Sequence, residues 1–272
     1  LKPRIAHPHG TASGPSRFSS LRGRVAGVLR TETKKTTAMQ KIIDRASSRG
    51  YADHGWLKTY HTFSFADYYN PRRMRFGALR VLNDDTVAGG EGFGMHPHDN
   101  MEIVSIPLAG ALRHRDSMGH TSVLHAGEIQ VMTAGTGIVH SEYNASADEL
   151  VEFLQIWVFP EQRNLTPRYS QVRLDEARPD EPRLIVAPRG SEHVAWIHQK
   201  AWFYTLRLTE GGEVAFRLQR PSDGLYLFVL DGEIEAGGER LARRDGMGVQ
   251  EFDTLTLHGR RESDLLLIEV PV

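Results

Sequence analysis

Histidines and carboxylates spaced two residues apart are the first feature of this chain that could do chemistry. His96-Pro97-His98 is followed further along by His140-Ser141-Glu142, which comes after the glycine-rich turn Gly135-Thr136-Gly137. On a β-strand, alternate side chains point to the same side. His96 and His98 would therefore share a face, as would His140 and Glu142. Two such pairs on neighbouring strands can close a shell of three imidazoles and one carboxylate around one divalent ion. One or two positions then stay open for water, a bidentate substrate or dioxygen. Glu102 has the parity of His96 and His98 and would face the same way on an undisturbed strand, which makes it a second carboxylate for the site. The chain has no cysteine, which excludes disulfides, iron–sulfur clusters, thiolate zinc sites and a cysteine nucleophile, so any metal must be held mainly by His, Asp or Glu.

The elements that must carry these pairs read as short strands separated by Gly, Asp and Asn turns. Expected strands are 75–82, stopped by Asn83-Asp84-Asp85, then 101–108, 111–116, 123–128, 129–133 and 151–159. After a polar, Pro-rich stretch they resume at 202–208, 214–218, 225–230 and 265–270. Strands at this spacing point to an all-β barrel or sandwich. The 26 glycines and 13 prolines favour the same class over a helix bundle. A chain of 272 residues has room for one large domain or two ordinary ones. The halves echo each other weakly: Leu108-Ala109-Gly110 and Leu230-Asp231-Gly232 each precede a strand, which fits two copies of a barrel module. The organisation expected is a leader at 1–38, an N-terminal metal-binding barrel at 39–160, a linker at 161–188 and a C-terminal barrel at 189–272.

Charge separates the leader from the body. Residues 1–38 carry eight Lys or Arg and one acid, Glu32. Removing these from the 33 bases and 34 acids leaves 25 bases against 33 acids, a body at −8. Such a body is a poor direct binder of nucleic acid. No apolar run approaches the roughly 20 residues of a membrane helix, and a cytoplasmic protein is expected. The leader is Arg- and Ser-rich, as organelle transit peptides are. The simpler expectation is a disordered or non-native extension before Met39, with His7-Pro8-His9 a chance pair. His114, His120 and His125 lie near turns and read as surface or supporting residues. His54 and His61 are isolated, and His193, His198 and His258 form no pair.

The segments His96-Pro97-His98 and Thr133-Ala134-Gly135-Thr136-Gly137-Ile138-Val139-His140-Ser141-Glu142 resemble the two motifs of the cupins, and more narrowly those of the pirin family of bicupins. Gly55-Trp56-Leu57-Lys58-Thr59-Tyr60-His61-Thr62-Phe63-Ser64-Phe65 and Gln155-Ile156-Trp157-Val158-Phe159-Pro160 are similar to the same family, and the resemblance covers about residues 39–272. It implies an all-β fold of two tandem cupin (double-stranded β-helix, jelly-roll) barrels. It also implies one divalent metal ion, iron first, with manganese, nickel, cobalt, copper or zinc also suited, held by His96, His98, His140 and Glu142. Glu102, the acidic ligand of many other cupins, becomes a supporting residue or a base. In the second barrel, Leu218 and Arg220 fall where His96 and His98 stand in the first, so one metal site is expected.

The family's bacterial quercetin 2,3-dioxygenase branch is the nearest match. It implies a dioxygenase that binds a flavonol through its 3-hydroxyl and neighbouring carbonyl, passes a proton to Glu142 or Glu102, and opens the ring with dioxygen and loss of carbon monoxide. Met95, Met132, Ile138 and Phe153 are the expected walls of an apolar slot. The monomer or a weak dimer is expected. The alternative reading is a non-catalytic, metal-bearing, redox-responsive regulator that binds a protein partner. A cavity beside the metal would favour the enzyme.

Overall fold

The computed structural model describes residues 39–191 and 194–272. The expected leader, with His7 and His9, and also His193, lie outside the described residues. The first strand is β1 (Gln40–Asp44), and a single 3-10 turn (Ala46–Ser48) follows it. The N-terminal half then runs through β2 (Gly50–Asp53), β3 (Leu57–His61), β4 (Leu79–Val87), β5 (Gly92–His98), β6 (Glu102–Ala109), β7 (Ala111–Asp116), β8 (Thr121–His125), β9 (Glu128–Thr133), β10 (Ile138–Asn144), β11 (Val151–Val158) and β12 (Arg168–Arg173). The C-terminal half runs through β13 (Arg183–Pro188), β14 (Ala195–Ile197), β15 (Trp202–Leu208), β16 (Glu213–Phe216), β17 (Asp223–Asp231), β18 (Glu233–Ala236), β19 (Glu239–Ala242), β20 (Gly246–Gln250), β21 (Leu255–Gly259) and β22 (Ser263–Pro271).

Each half is a barrel of one seven-stranded and one four-stranded sheet. In the first, β12-β9-β6-β11-β4-β3-β2 faces β5-β10-β7-β8. In the second, β1-β20-β17-β22-β15-β13-β14 faces β16-β21-β18-β19. The two large sheets also pack back to back. Leu82, Val104, Leu154 and Ile156 of one meet Phe203, Phe228, Leu266 and Ile268 of the other in a single buried cluster. A central strand such as β11 is thus buried on both faces, with Val151 and Phe153 inside the barrel and Leu154, Ile156 and Val158 in the seam. This explains why its sequence is nearly continuous apolar rather than alternating.

Three expectations change. The polar triplet Asn83-Asp84-Asp85 does not stop a strand but lies within β4. Asn83 and Asp85 point into the barrel, where His61 Nδ1 and the Thr59 hydroxyl meet them from the facing positions of β3. Residues 161–188, read as a linker, carry β12 and β13, one in each large sheet. β12 is half-buried and lacks the clean apolar period of a core strand, while β13 buries only the short run Ile185-Val186-Ala187. Finally, β1 leaves its own half and pairs with β20 of the other. Asp44 anchors it there, accepting from the Tyr226 hydroxyl at 2.8 Å and pairing with Arg73 at 2.9 Å.

Candidate metal centre

The centre is built on β5 and β10, neighbours in the small sheet of the first barrel, with His140 directly opposite His96 and Ile138 opposite His98. Beyond His140 the register slips, so Glu142 faces Phe93. The extra residue on β5 is a β-bulge, and it lets Phe93, His96 and His98 all face inward although their numbers differ in parity. Met95 is left outside, 56% exposed, so it is not a wall of an inner slot. The turn before β10 is held tightly: Gly135 has φ +51°, and a Cβ there would sit 2.0 Å from the Leu165 carbonyl oxygen. That contact admits only glycine.

The three rings His96, His98 and His140 form a triangle with centroid separations of 4.5, 4.8 and 4.9 Å. One nitrogen from each lies within 4.8 Å of the others. His96 Nδ1 donates to the Gly94 carbonyl at 2.7 Å, which leaves its Nε2 as the bare lone pair. His140 is fully buried, and neither of its nitrogens has a hydrogen-bond partner. Burial and the neighbouring imidazoles push His98 down to about 4 and His140 down to about 3. Both rings are therefore neutral near pH 7, the form a metal ligand requires. A buried imidazole with two nitrogens that find no hydrogen-bond partner among the described residues, facing two more imidazoles, fits a divalent cation.

Glu142 is a buried carboxylate close to His140. Its Oε1 accepts from Gln130 Nε2 at 2.9 Å and lies 3.2 Å from the Ser105 hydroxyl, and its Oε2 accepts from Gln155 Nε2 at 2.7 Å. Glu142 also groups with His140 and a fourth imidazole, His114, all three buried. His114 is not at the surface. It stacks on Tyr169 at 4.5 Å, and its Nε2 meets Asp116 at 3.2 Å. Asp116 also meets His120 Nδ1 at 2.9 Å. Burial alone would raise Asp116, but these partners outweigh it and hold the group below its ordinary value.

Glu102 does not join the imidazoles. The chain breaks out of strand geometry between β5 and β6, where Asn100 takes φ +46°, so parity counted from His98 is lost. On β6 it is Ser105 that meets Glu142, whereas Glu102 lies on the opposite face with Val104 and Ile106, at the seam. There it accepts from the Thr133 hydroxyl at 2.8 Å and the His198 backbone N–H at 3.1 Å. Burial raises it to about 7. Among the other expected slot walls, Met132 and Ile138 pack with Ile103 and Ala134 below the imidazoles, and Phe153 packs with Leu57, Leu112 and Leu124 at the far end. His61 is buried rather than isolated, His258 pairs with Glu213 at 3.3 Å, and His198 packs on Trp196. The residues that sequence reading missed are Ser105, Gln130 and Gln155. Each is a lone polar side chain inside an apolar strand, and that is the signal that could have found them.

A cavity of about 410 Å³ is lined in part by Tyr51, Thr59, His61, Phe65, Asp85 and Phe93, the last of which stands opposite Glu142; the three imidazoles and Glu142 are not on its wall. Phe65 packs edge-on against Trp157 at 5.3 Å, and Trp157 packs edge-on against His98 at 4.9 Å.

Comparison with known proteins agrees with this fold. Residues 43–158 match the Pirin family, and residues 184–270 match the family described as the quercetinase C-terminal cupin domain. The chain is 39% identical over 229 residues to a quercetin 2,3-dioxygenase of Escherichia coli, covering 84% of this chain and 98% of that protein. It is 36% identical over 232 residues to a pirin-like protein of Caulobacter vibrioides, covering 84% and 99%. Among solved structures it is similar to the Escherichia coli bacterial pirin YhhW in complex with nickel(II), with TM-score 0.81 and 37% identity over 85% of this chain and 99% of that one. No helix among the described residues is long and apolar enough to cross a membrane.

Proposed function

The chain belongs to the pirin family, and on that premise we propose that it is a metal-dependent dioxygenase that cleaves the heterocycle of flavonols such as quercetin, releasing carbon monoxide. The observation that carries the reading is the inward-facing triangle of His96, His98 and His140, with both His140 nitrogens buried and unpartnered. Support comes from the relatives named quercetin 2,3-dioxygenase and from the nickel-bound relative.

In this reading His96, His98, His140 and Glu142 hold one divalent ion. Once bound, the ion supplies Lewis acidity and open positions for oxygen ligands. The protein's own residues do the rest. Gly94 fixes the tautomer of His96 through its carbonyl. Gln130 and Gln155 orient the Glu142 carboxylate, and Glu142 accepts the proton of the substrate 3-hydroxyl. Glu102, turned into the seam, takes no part. Trp157 covers His98 and keeps bulk water from that side of the cluster. The cavity lined by Phe65 and Phe93 supports a small-molecule substrate over the regulator reading.

The test is aerobic incubation of metal-analysed protein with quercetin, following loss of flavonol absorbance and release of carbon monoxide. Metal-dependent turnover that disappears in Glu142→Ala supports the reading. Absence of turnover with iron, nickel, manganese, cobalt, copper and zinc each loaded would shift it to the non-catalytic regulator or to another substrate.

A further inference from the structure

The cavity bounded by β2, β3, β4, the turn at 65–68 and the start of β5 is not explained by the metal centre. Two of its lining side chains are buried and only half satisfied. Asp85 is 4% exposed, and its only hydrogen-bond partner among the described residues is the Thr59 hydroxyl, on Oδ1. His61 is also 4% exposed and spends Nδ1 on Asn83 Oδ1 at 2.9 Å. Asp85 Oδ2 and His61 Nε2 are each left without a protein partner beside the cavity. Neither atom is sealed off: both residues line the cavity, so these two atoms stand free to bond what fills it. Around them stand aromatic rings: Phe65 at 5.4 Å and Tyr68 at 6.3 Å from the His61 ring, with Phe93 and Tyr51 also on the wall.

We infer that this cavity is a recognition pocket for a hydroxylated aromatic ring, with Asp85 Oδ2 and His61 Nε2 reading its hydroxyls. The inference rests on the dioxygenase reading, and the ring it assigns is the pendant hydroxyphenyl group of the flavonol. A flat ring fills the space between Phe65, Tyr68 and Phe93, while two edge hydroxyls meet the two unpartnered atoms. The volume lies within the range of small-ligand pockets. A cationic ligand fits less well, because burial raises Asp85 to about 7 and the other lining carboxylate, Asp67, is exposed. A phosphate or carboxylate ligand fits least, since no Lys or Arg lines the pocket.

The experiment is anaerobic titration of the nickel-loaded full chain with quercetin and with the same flavonol lacking hydroxyls on its pendant ring, read by flavonol absorbance. The wild type should bind quercetin about tenfold more tightly, the value of one or two net hydrogen bonds. Asp85→Leu should erase that preference, moving quercetin towards the unhydroxylated analogue with nickel occupancy unchanged. Should Asp85→Leu fail to fold, Ala52→Trp fills the cavity from its wall and should weaken both ligands. Equal binding of the two flavonols by the wild type, or a preference that survives both substitutions, overturns the inference. If quercetin is still cleaved in that case, the dioxygenase reading stands alone. If the wild type neither binds nor cleaves either flavonol, both fall together.

Discussion

In the C-terminal barrel, Leu206, Leu227, Val249, Leu257 and Leu267 close into one apolar cluster that fills the interior. In the N-terminal barrel the interior is split. One apolar group of Leu57, Val87, Leu112 and Phe153 lies at one end, and another of Ile103, Met132, Ala134 and Ile138 at the other. Between them lies a polar layer of Ser105, His114, Gln130, His140 and Glu142, all buried. The strands hold equivalent places in the two large sheets, with β22 carrying Leu265 and Leu267 where β11 carries Phe153 and Gln155. The second barrel shows that this strand plan closes around an apolar middle, its buried Glu269 accepting, among the described residues, only from the Gln219 and Arg220 backbone N–H groups. Buried polar groups cost stability unless partnered, so the layer in the first barrel is a site, not a requirement of the fold. Leu218, which falls where a metal ligand would stand, packs instead against the apolar core of its barrel.

That contrast can be broken or sharpened by substitution. The largest effect is expected from His98→Ala, which should abolish metal retention, measured by metal analysis after gel filtration, while the circular dichroism spectrum of a β protein persists. Metal at full occupancy in this variant would remove the first barrel's distinction. Next comes Leu267→Ala in the second barrel. It should cost about 2–5 kcal/mol of stability in denaturant unfolding, as large-to-small core changes do, with metal stoichiometry unaltered. The smallest effect belongs to the seam. Glu102 has a folded pKa of about 7, raised from 4.5, so the folded state holds its proton more tightly and the stability it contributes is lost as pH rises through about 7. Glu102→Gln should therefore raise the melting temperature at pH 8 relative to wild type and change it little at pH 5. Flavonol turnover should be retained, and its loss would return Glu102 to the chemistry.

The sequence made the imidazole triangle legible because strand parity is local: His96 and His98 share a face whatever the rest of the chain does. Glu102 was misread because parity counting cannot see the left-handed turn at Asn100 that moves the chain from one sheet to another. Asn83 and Asp85 were misread as a stop because a polar run signals a turn only when solvent is its partner. Here His61 and Thr59 across the strand pair are the partners. Within 161–188, β12 was hidden by half-burial and β13 by the shortness of its apolar run, and the pairing of β1 with β20 by its distance along the chain. The all-β class was readable because turn residues recur at short spacing throughout, whereas the two-barrel plan came from the resemblance to the pirin family, the internal echo being weak.

The placement of β1 also sets a timetable for biosynthesis. The Lys41–Gly237 contact spans 196 residues, so at a synthesis rate of roughly 5–20 residues per second the first strand waits about 10–40 s for its partner to leave the ribosome. During that interval it is an unpaired edge, the kind of segment on which wrong pairings begin. A shortened chain starting at residue 46 would keep the four residues assigned to the metal and yet leave β20 uncovered. The damage would then surface as aggregation of the barrel that holds no ligands.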